Sequence, residues 1–377
     1  MALKRQSRGA TPRAPRVGLL HYTCPPVIGG VETILYEQAV RLSKRGFPVT
    51  ILSGRGGPLP DPKAARLVII PELELTLHFN LPLTAALWTL ADSARVRMIS
   101  WVHDISWLNP IYRPWLHEGE PWELLRRQHP RITPIFVSSQ RLDQWRELTG
   151  TTVGATHVIP NGIDPAALLQ LGDKATALAG RFGLLGADTV MLAPVRITKR
   201  KNLEWAIEAA AGVRDAGRRV QLLVTGPPGP HNPRSLEYVA DLKRLIERLG
   251  LRDSVHLLFE ESPVLTGEYA IDAATLSDLY MLSDVVVLPS GSEGFGLPLA
   301  EAAIFRVPVV CTDLPAFREL APDGATFVPI AAGSSGFTAA VLTAIESPPA
   351  RLRRHVMRTL SWDRIITERI EPLLSSS

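Results

Sequence analysis

The chain has 377 residues, 46% of them hydrophobic and 21% charged, and 41 Lys and Arg against 37 Asp and Glu give a net charge of +4. That length exceeds what one hydrophobic core usually holds and predicts two domains of about 150–200 residues each. Two cysteines, Cys24 and Cys311, exclude a disulfide scaffold and a thiolate-rich metal cluster; with no apolar run near the roughly 18 residues of a membrane span and no signal-peptide stretch, the expectation is a cytoplasmic protein.

Residues 1–15 read as a disordered basic tail, with Lys4, Arg5, Arg8 and Arg13, continued by Arg16, and no acidic residue. The sharper alternative is peripheral attraction to an anionic membrane, at about 1 kcal/mol per basic residue near the lipid. No aromatic residues interleave there, so nucleic acid is not an expected partner. From Arg16 onward, short β-branched runs alternate with helical patterns, the signature of parallel sheets covered by helices. VGLLHY (17–22) is a predicted strand. The turn-rich TCPPVIGG leads to a helix carrying Val31, Ile34, Leu35, Ala39 and Leu42 and ending at Gly46. PVTILS (48–53), RLVII, RVRMISWV, TPIFVS and THVIP complete the strands of a first domain, 16–165. Between Ile70 and Leu81 there is little room for a helix-plus-strand unit, so this domain reads as shortened there. In the second domain, 166–362, the strands are TVMLAPV, VQLLVTG, VHLLF, DVVVLP and VPVVCT, with helices at 202–214 and 235–249. A last helical stretch near 363–374 is expected to cross back to the first domain. The class is therefore α/β, with two doubly wound, Rossmann-like domains meeting near Pro160–Pro165, and a ligand is expected in the crevice between them.

The segment from Pro289 to Cys311, PSGSEGFGLPLAEAAIFRVPVVC, carries the strongest chemical signal. A strand gives way to a Gly-rich loop and then to a helix starting near Leu297, with Pro298 in its first turn. Backbone N–H groups of Gly294, Phe295, Gly296 and Leu297 are expected to be free there, and with the helix dipole they make an anion site. Glu293 and Glu301 flank the loop at a separation of about 10–12 Å. That is wider than the roughly 5 Å of a retaining hydrolase or the 6.5–9.5 Å of an inverting one. The pair fits two clamps on one elongated ligand, Glu293 on a polyol and Glu301 on a vicinal diol such as ribose. APVRITKRKN (193–202) supplies the counter-charge, with Arg196, Lys199, Arg200 and Lys201 just past a strand end.

PPVIGGVET, VSSQRLDQW (137–145), VIPNGIDP (158–165), VRITKRKN (195–202) and SEGFGLPLAEA (292–302), in this order, resemble the retaining GT-B glycosyltransferases of family 4, the glycosyl transferases group 1. That resemblance implies a GT-B fold, two Rossmann-like domains about a central cleft, and a nucleotide-diphosphate sugar as donor. Glu293 and Glu301 occupy the ends of the family's E-x7-E motif, contacting the transferred sugar and the ribose. Arg196 and Lys201 match its diphosphate-binding pair, Gly29 and Gly30 its N-terminal loop beside the phosphates and acceptor, and His103 a residue placed against the donor sugar. Besides the 70–81 stretch, FEESPVLTGEY (259–269) departs from the family by lacking a compact Gly-containing turn.

The implied reaction moves a hexose, of the GDP-mannose or UDP-glucose type, to a sugar, lipid or polyol hydroxyl with retention of configuration. No metal and no tightly bound cofactor are expected. Four tryptophans, 101, 107, 115 and 122, surround His103; Trp107 and Trp115, with Asp104, are candidates for the acceptor side, since aromatic faces stack on sugars. The alternative for them is packing of a loop excursion. A dinucleotide oxidoreductase is disfavoured because TCPPVIGG stands where G-x-G-x-x-G would. A phosphorylase lacks its cofactor lysine motif, and a non-catalytic nucleotide-sugar binder is the remaining alternative.

Overall fold

The computed structural model describes residues 14–70, 81–93, 96–150, 157–228, 234–260 and 271–375. The basic tail through residue 13, residues 71–80 of the shortened stretch and residues 261–269 of the departing turn lie outside the described residues. Two compact units divide the chain: Met1–Ile163 together with Leu360–Ser377, and Asp164–Thr359.

The first unit runs β1 (Val17–Thr23), α1 (Gly30–Lys44), β2 (Val49–Arg55), β3 (Arg66–Ile69), α2 (Leu81–Asp92), β4 (Met98–Val102), β5 (Ile132–Phe136), α3 (Ser139–Thr149) and β6 (His157–Val158). Its strands pair in parallel as β1-β2-β3 and β4-β5-β6. These are the two halves of a doubly wound order, although no ladder joins β1 to β4 among the described residues. Leu35, Ala39 and Leu42, at helical spacing on α1, cover the sheet. Gly46 at φ 85° stops that helix in a left-handed turn. At α3 the Ser138 hydroxyl accepts the Arg141 N–H at 3.2 Å, a side-chain N-cap. Helix α2 begins directly after the stretch read as too short for a helix-plus-strand unit.

The second unit contains α4 (Pro165–Leu168), α5 (Asp173–Arg181), β7 (Thr189–Ala193), α6 (Leu203–Asp215), β8 (Val220–Val224), α7 (Arg234–Arg248), β9 (Val255–Leu257), α8 (Ala273–Leu282), β10 (Val285–Leu288), α9 (Leu297–Ile304), β11 (Val309–Thr312), α10 (Pro315–Leu320), β12 (Thr326–Val328), α11 (Gly333–Ala344) and α12 (Pro348–Thr359). One six-stranded sheet results, in the order β12-β11-β10-β7-β8-β9 and parallel throughout. Strands β7, β10 and β11 are buried along their whole length, which is why they read as unbroken apolar runs. From β7 the chain winds outward through β8 and β9, then returns to β10 on the other side of β7. This reversal leaves the loops after β7 and β10 side by side at the carboxyl edge, where open α/β sheets receive their ligands. No helix among the described residues is long and apolar enough to cross a membrane.

The chain then re-enters the first unit through α13 (Trp362–Ile365), a π-helical turn (Ile366–Ile370) and α14 (Glu371–Ser375). Trp362, Ile365, Ile366 and Ile370 join the core formed by α1, β2 and β5. Ile163 pairs with this returning segment, donating to Leu360 O at 2.7 Å and accepting from the Trp362 N–H at 3.0 Å. The unit boundaries therefore fall at 163/164 and 359/360, not at the expected 165/166 and 362/363. Asp164 already caps α4 by accepting the Ala167 N–H at 3.1 Å, and Trp362 is already core. A Cβ at Gly162 would come within 2.4 Å of the Trp362 ring, so this glycine is required by close approach. Gly162→Ala is expected to cost about 1–3 kcal/mol by overpacking. The loss should shrink in a Trp362→Leu background, as read from urea midpoints of the single and double variants.

Candidate functional site

Both loops at the reversal are built to meet. After β7, Lys199–Lys201 make one 3-10 turn, closed by Asn202 in the left-handed conformation at φ 45°. This turn directs Lys201 inward, only 6% exposed, and its Nζ donates to Glu293 Oε2. Arg200 Nη1 donates to Ser292 O at 3.1 Å and stands 3.6 Å from Glu293 Oε1. In return the Gly291 N–H donates to Arg200 O at 2.7 Å. Burial raises the Glu293 carboxyl, but the Lys201 ammonium, with the Gly294 N–H and Arg200, outweighs it and holds the group below its ordinary range.

The Gly294 N–H, expected to be free, instead donates to Glu293 Oε1 at 3.3 Å: a carboxylate that folds back on its own loop satisfies the first amide. The amides of Phe295, Gly296 and Leu297 remain at the start of α9, where helix geometry gives them no intrahelical acceptor. Gly296 is needed twice over. Its φ is 97°, and a Cβ there would lie 2.7 Å from Phe317. Phe295 and Leu297 are 58% and 61% exposed at the rim.

One turn into α9, Glu301 accepts the Tyr280 hydroxyl at 2.7 Å. Tyr280, from α8, stacks on Phe305 with centroids 5.3 Å apart. Burial and the Glu301 carboxylate together push the phenol well above its ordinary pKa. A tyrosine in a helical apolar pattern reads as core, and only the fold brings it to Glu301. Of the four cations after β7, Lys199 turns to Glu204 at 2.7 Å and lies over the Tyr238 ring. Arg196 is exposed and, among the described residues, makes no ion pair. Arg200, present in the basic run but assigned no separate role, is the cation that stands with Lys201 at the Gly-rich loop.

In the first unit, His103 follows β4 with its Nε2 3.2 Å from Asn161 Oδ1. Burial lowers its pKa, the Asn161 bond counters this, and the nearby His21 adds to the lowering. Gly29 precedes α1 in extended conformation. A Cβ there would be 2.1 Å from Glu32 Oε2. The Glu32 carboxylate is buried and accepts the Thr23 hydroxyl, so Gly29 makes room first for this side chain. Gly30 has open space around it. Asp104 is committed to its own loop, accepting from the Ile105 N–H at 2.9 Å and from Asn109 and pairing with Arg141 at 3.3 Å. Of the two readings open for Trp107, acceptor platform and loop packing, its burial agrees with packing: it is 4% exposed, with the Arg113 and Arg126 guanidiniums 4.5 and 4.1 Å from its ring centre. Trp115 is 66% exposed.

Residues 181–357 match the family model for glycosyl transferases group 1. The Asp164–Thr359 unit is a group 1 glycosyltransferase domain. The chain is 27% identical to the D-inositol 3-phosphate glycosyltransferase of Nocardia farcinica over 73% of its own length and 59% of that protein. It is 25% identical to the phosphatidyl-myo-inositol mannosyltransferase of Mycobacterium leprae, covering 91% of this chain and 89% of that one. A solved structure of Anabaena Alr3699/HepE in complex with UDP and glucose is 19% identical and covers 95% of this chain and 99% of its own, at a TM-score of 0.39. The chain spans about half to three-fifths of the length of several curated relatives.

Two outcomes follow from this geometry. A carboxylate held below its unfolded pKa of about 4.3 contributes stability that is complete above that value and is lost as pH falls through the lower folded value. Urea midpoints of the group 1 domain in the intact chain should therefore drop over that window, and Lys201→Met should both lower them and flatten the drop. Trp107→Ala is expected to cost about 3–5 kcal/mol, while Trp115→Ala stays within about 0.5 kcal/mol, on the same denaturation measurement.

Proposed function

We propose that this chain transfers a hexose from a nucleotide-diphosphate sugar to an acceptor hydroxyl, with retention of configuration and without a metal. One observation carries the proposal: at the sheet reversal, Lys201 and Arg200 converge on the Gly-rich loop that opens α9. A pyrophosphate seated there meets fixed positive charge and backbone amides, a combination suited to anions. Lys201, Arg196 and the amides of residues 295–297 take the diphosphate, Glu301 takes the ribose and Glu293 the transferred sugar. His103, Gly29 and Gly30 are assigned to the sugar and phosphates on the family resemblance. The named inositol-modifying relatives support a polyol or polyol-lipid acceptor.

Chemically, the anomeric C–O bond to phosphate breaks as the acceptor oxygen approaches the same face, and the departing phosphate oxygen takes the acceptor proton. Bond electrons leave with the diphosphate, so its stabilisation is the main demand. Preorganised donors at a developing charge are worth about 3 kcal/mol each, and no protein nucleophile is required. The cations after β7 supply the charge that a metal supplies in other phosphate sites.

A thermal-shift panel of UDP, GDP and their hexose derivatives tests donor binding, since a ligand at 100 times its dissociation constant adds about 2.7 kcal/mol. Arg196→Ala and Lys201→Ala should each lower transfer turnover by about 100-fold or more. Wild-type turnover in both variants would refute the assignment, and binding without transfer to any polyol, sugar or lipid would identify a non-catalytic binder.

A further inference from the structure

We propose that Glu293 is a specificity-determining residue, which makes the site prefer a sugar-bearing nucleotide over the bare nucleoside diphosphate. This deepens the function proposed above and rests on it. The Glu293 carboxylate meets three donors: Lys201 Nζ, the Gly294 N–H at 3.3 Å and Arg200 Nη1 at 3.6 Å. Lys201 is the cation assigned above to the diphosphate, and Arg200 and the Gly294 N–H border the same loop. The carboxylate thus lies in the anion cradle itself, and a diphosphate seated on Lys201 must displace it or share the cations with it.

The two ligand classes exchange with it on different terms. In a nucleotide sugar the distal phosphate is esterified, and the hexose brings hydroxyl groups that donate to the displaced carboxylate. A bare diphosphate brings no hydroxyl at that end and carries a further negative charge on the terminal phosphate. With the Lys201 and Glu293 side chains only 8% and 13% exposed, solvent screens this repulsion weakly. Glu293 therefore accepts the donor and disfavours the product that remains once the sugar has left. A merely structural ion pair behaves differently, because weakening it alters the cradle equally for both ligands.

The test is calorimetric titration of the full chain with UDP against UDP-glucose and GDP against GDP-mannose. Wild type should favour the sugar nucleotide of the pair it binds. In Glu293→Gln, which keeps size and hydrogen bonding but removes the charge, the bare diphosphate should bind about tenfold more tightly and the sugar nucleotide more weakly. Glu293→Asp, which keeps the charge, should keep the wild-type order of preference and serves if the Gln variant folds poorly. Adding Lys201→Met to Glu293→Gln should abolish the gain for the diphosphate. Equal shifts for both ligands, or no tightening toward the diphosphate, overturn this inference alone. Failure of wild type to bind either pair overturns the underlying nucleotide-sugar reading and this one with it.

Discussion

The Lys201–Glu293 ion pair is the constraint around which the group 1 domain's carboxyl edge is arranged. A buried ammonium is unfavourable unless a counter-charge and further hydrogen bonds meet it. The fold provides these by placing β7 next to β10, so that a cation from one loop reaches a carboxylate on the other. Asn202 in a left-handed turn and Gly291 passing close to Arg200 bring the two loops to that distance, and Gly296 lets the second loop lie against Phe317. Arg200 braces the loop backbone through Ser292, so Glu293 is held by its main chain as well as by its charge.

In the first unit, close approach is the organising feature instead. Gly29 leaves room for the Glu32 carboxylate and Gly162 for the Trp362 ring. Both glycines sit where backbone meets a large or charged side chain, and both look like flexible loop residues in the sequence. The excursion between β4 and β5 is likewise self-consuming. Asp104 holds its own turn, and Trp107 is enclosed by arginines that pair with Glu118 and Glu123. Asp104 and Trp107, which look available for a ligand, are thus already used in folding.

The central strands of the second unit were legible because buried parallel strands are continuous apolar runs; β12, Thr326–Val328, was not read as a strand. The loop at Pro289–Leu297 was legible because glycines, a helix-starting proline and flanking carboxylates coincide in one short segment. What the sequence did not reveal depends on direction. Four basic residues within six positions cannot be told apart until a 3-10 turn sends Lys201 inward, Lys199 to Glu204 and Arg200 across to Ser292. Tyr280 reaches Glu301 from a different helix, and the covering of Trp107 arises from arginines six and nineteen residues onward. Such contacts belong to tertiary geometry, and no local spacing encodes them.

The division among the cations has a physical consequence for how such a cradle works. A charge already satisfied by a carboxylate is preorganised but must be exchanged for a ligand's charge, so it contributes selectivity more than raw affinity. A charge left in solvent, as at Arg196, keeps its hydration until a ligand arrives and gains a partner without breaking an existing ion pair. A loop holding one of each can respond both to the presence of a diphosphate and to what is attached to it. Arg196, three residues ahead of the Lys199–Lys201 turn that Asn202 closes in the left-handed conformation, and Lys201 at the end of that turn provide that asymmetry, because a single helical turn cannot point consecutive side chains the same way.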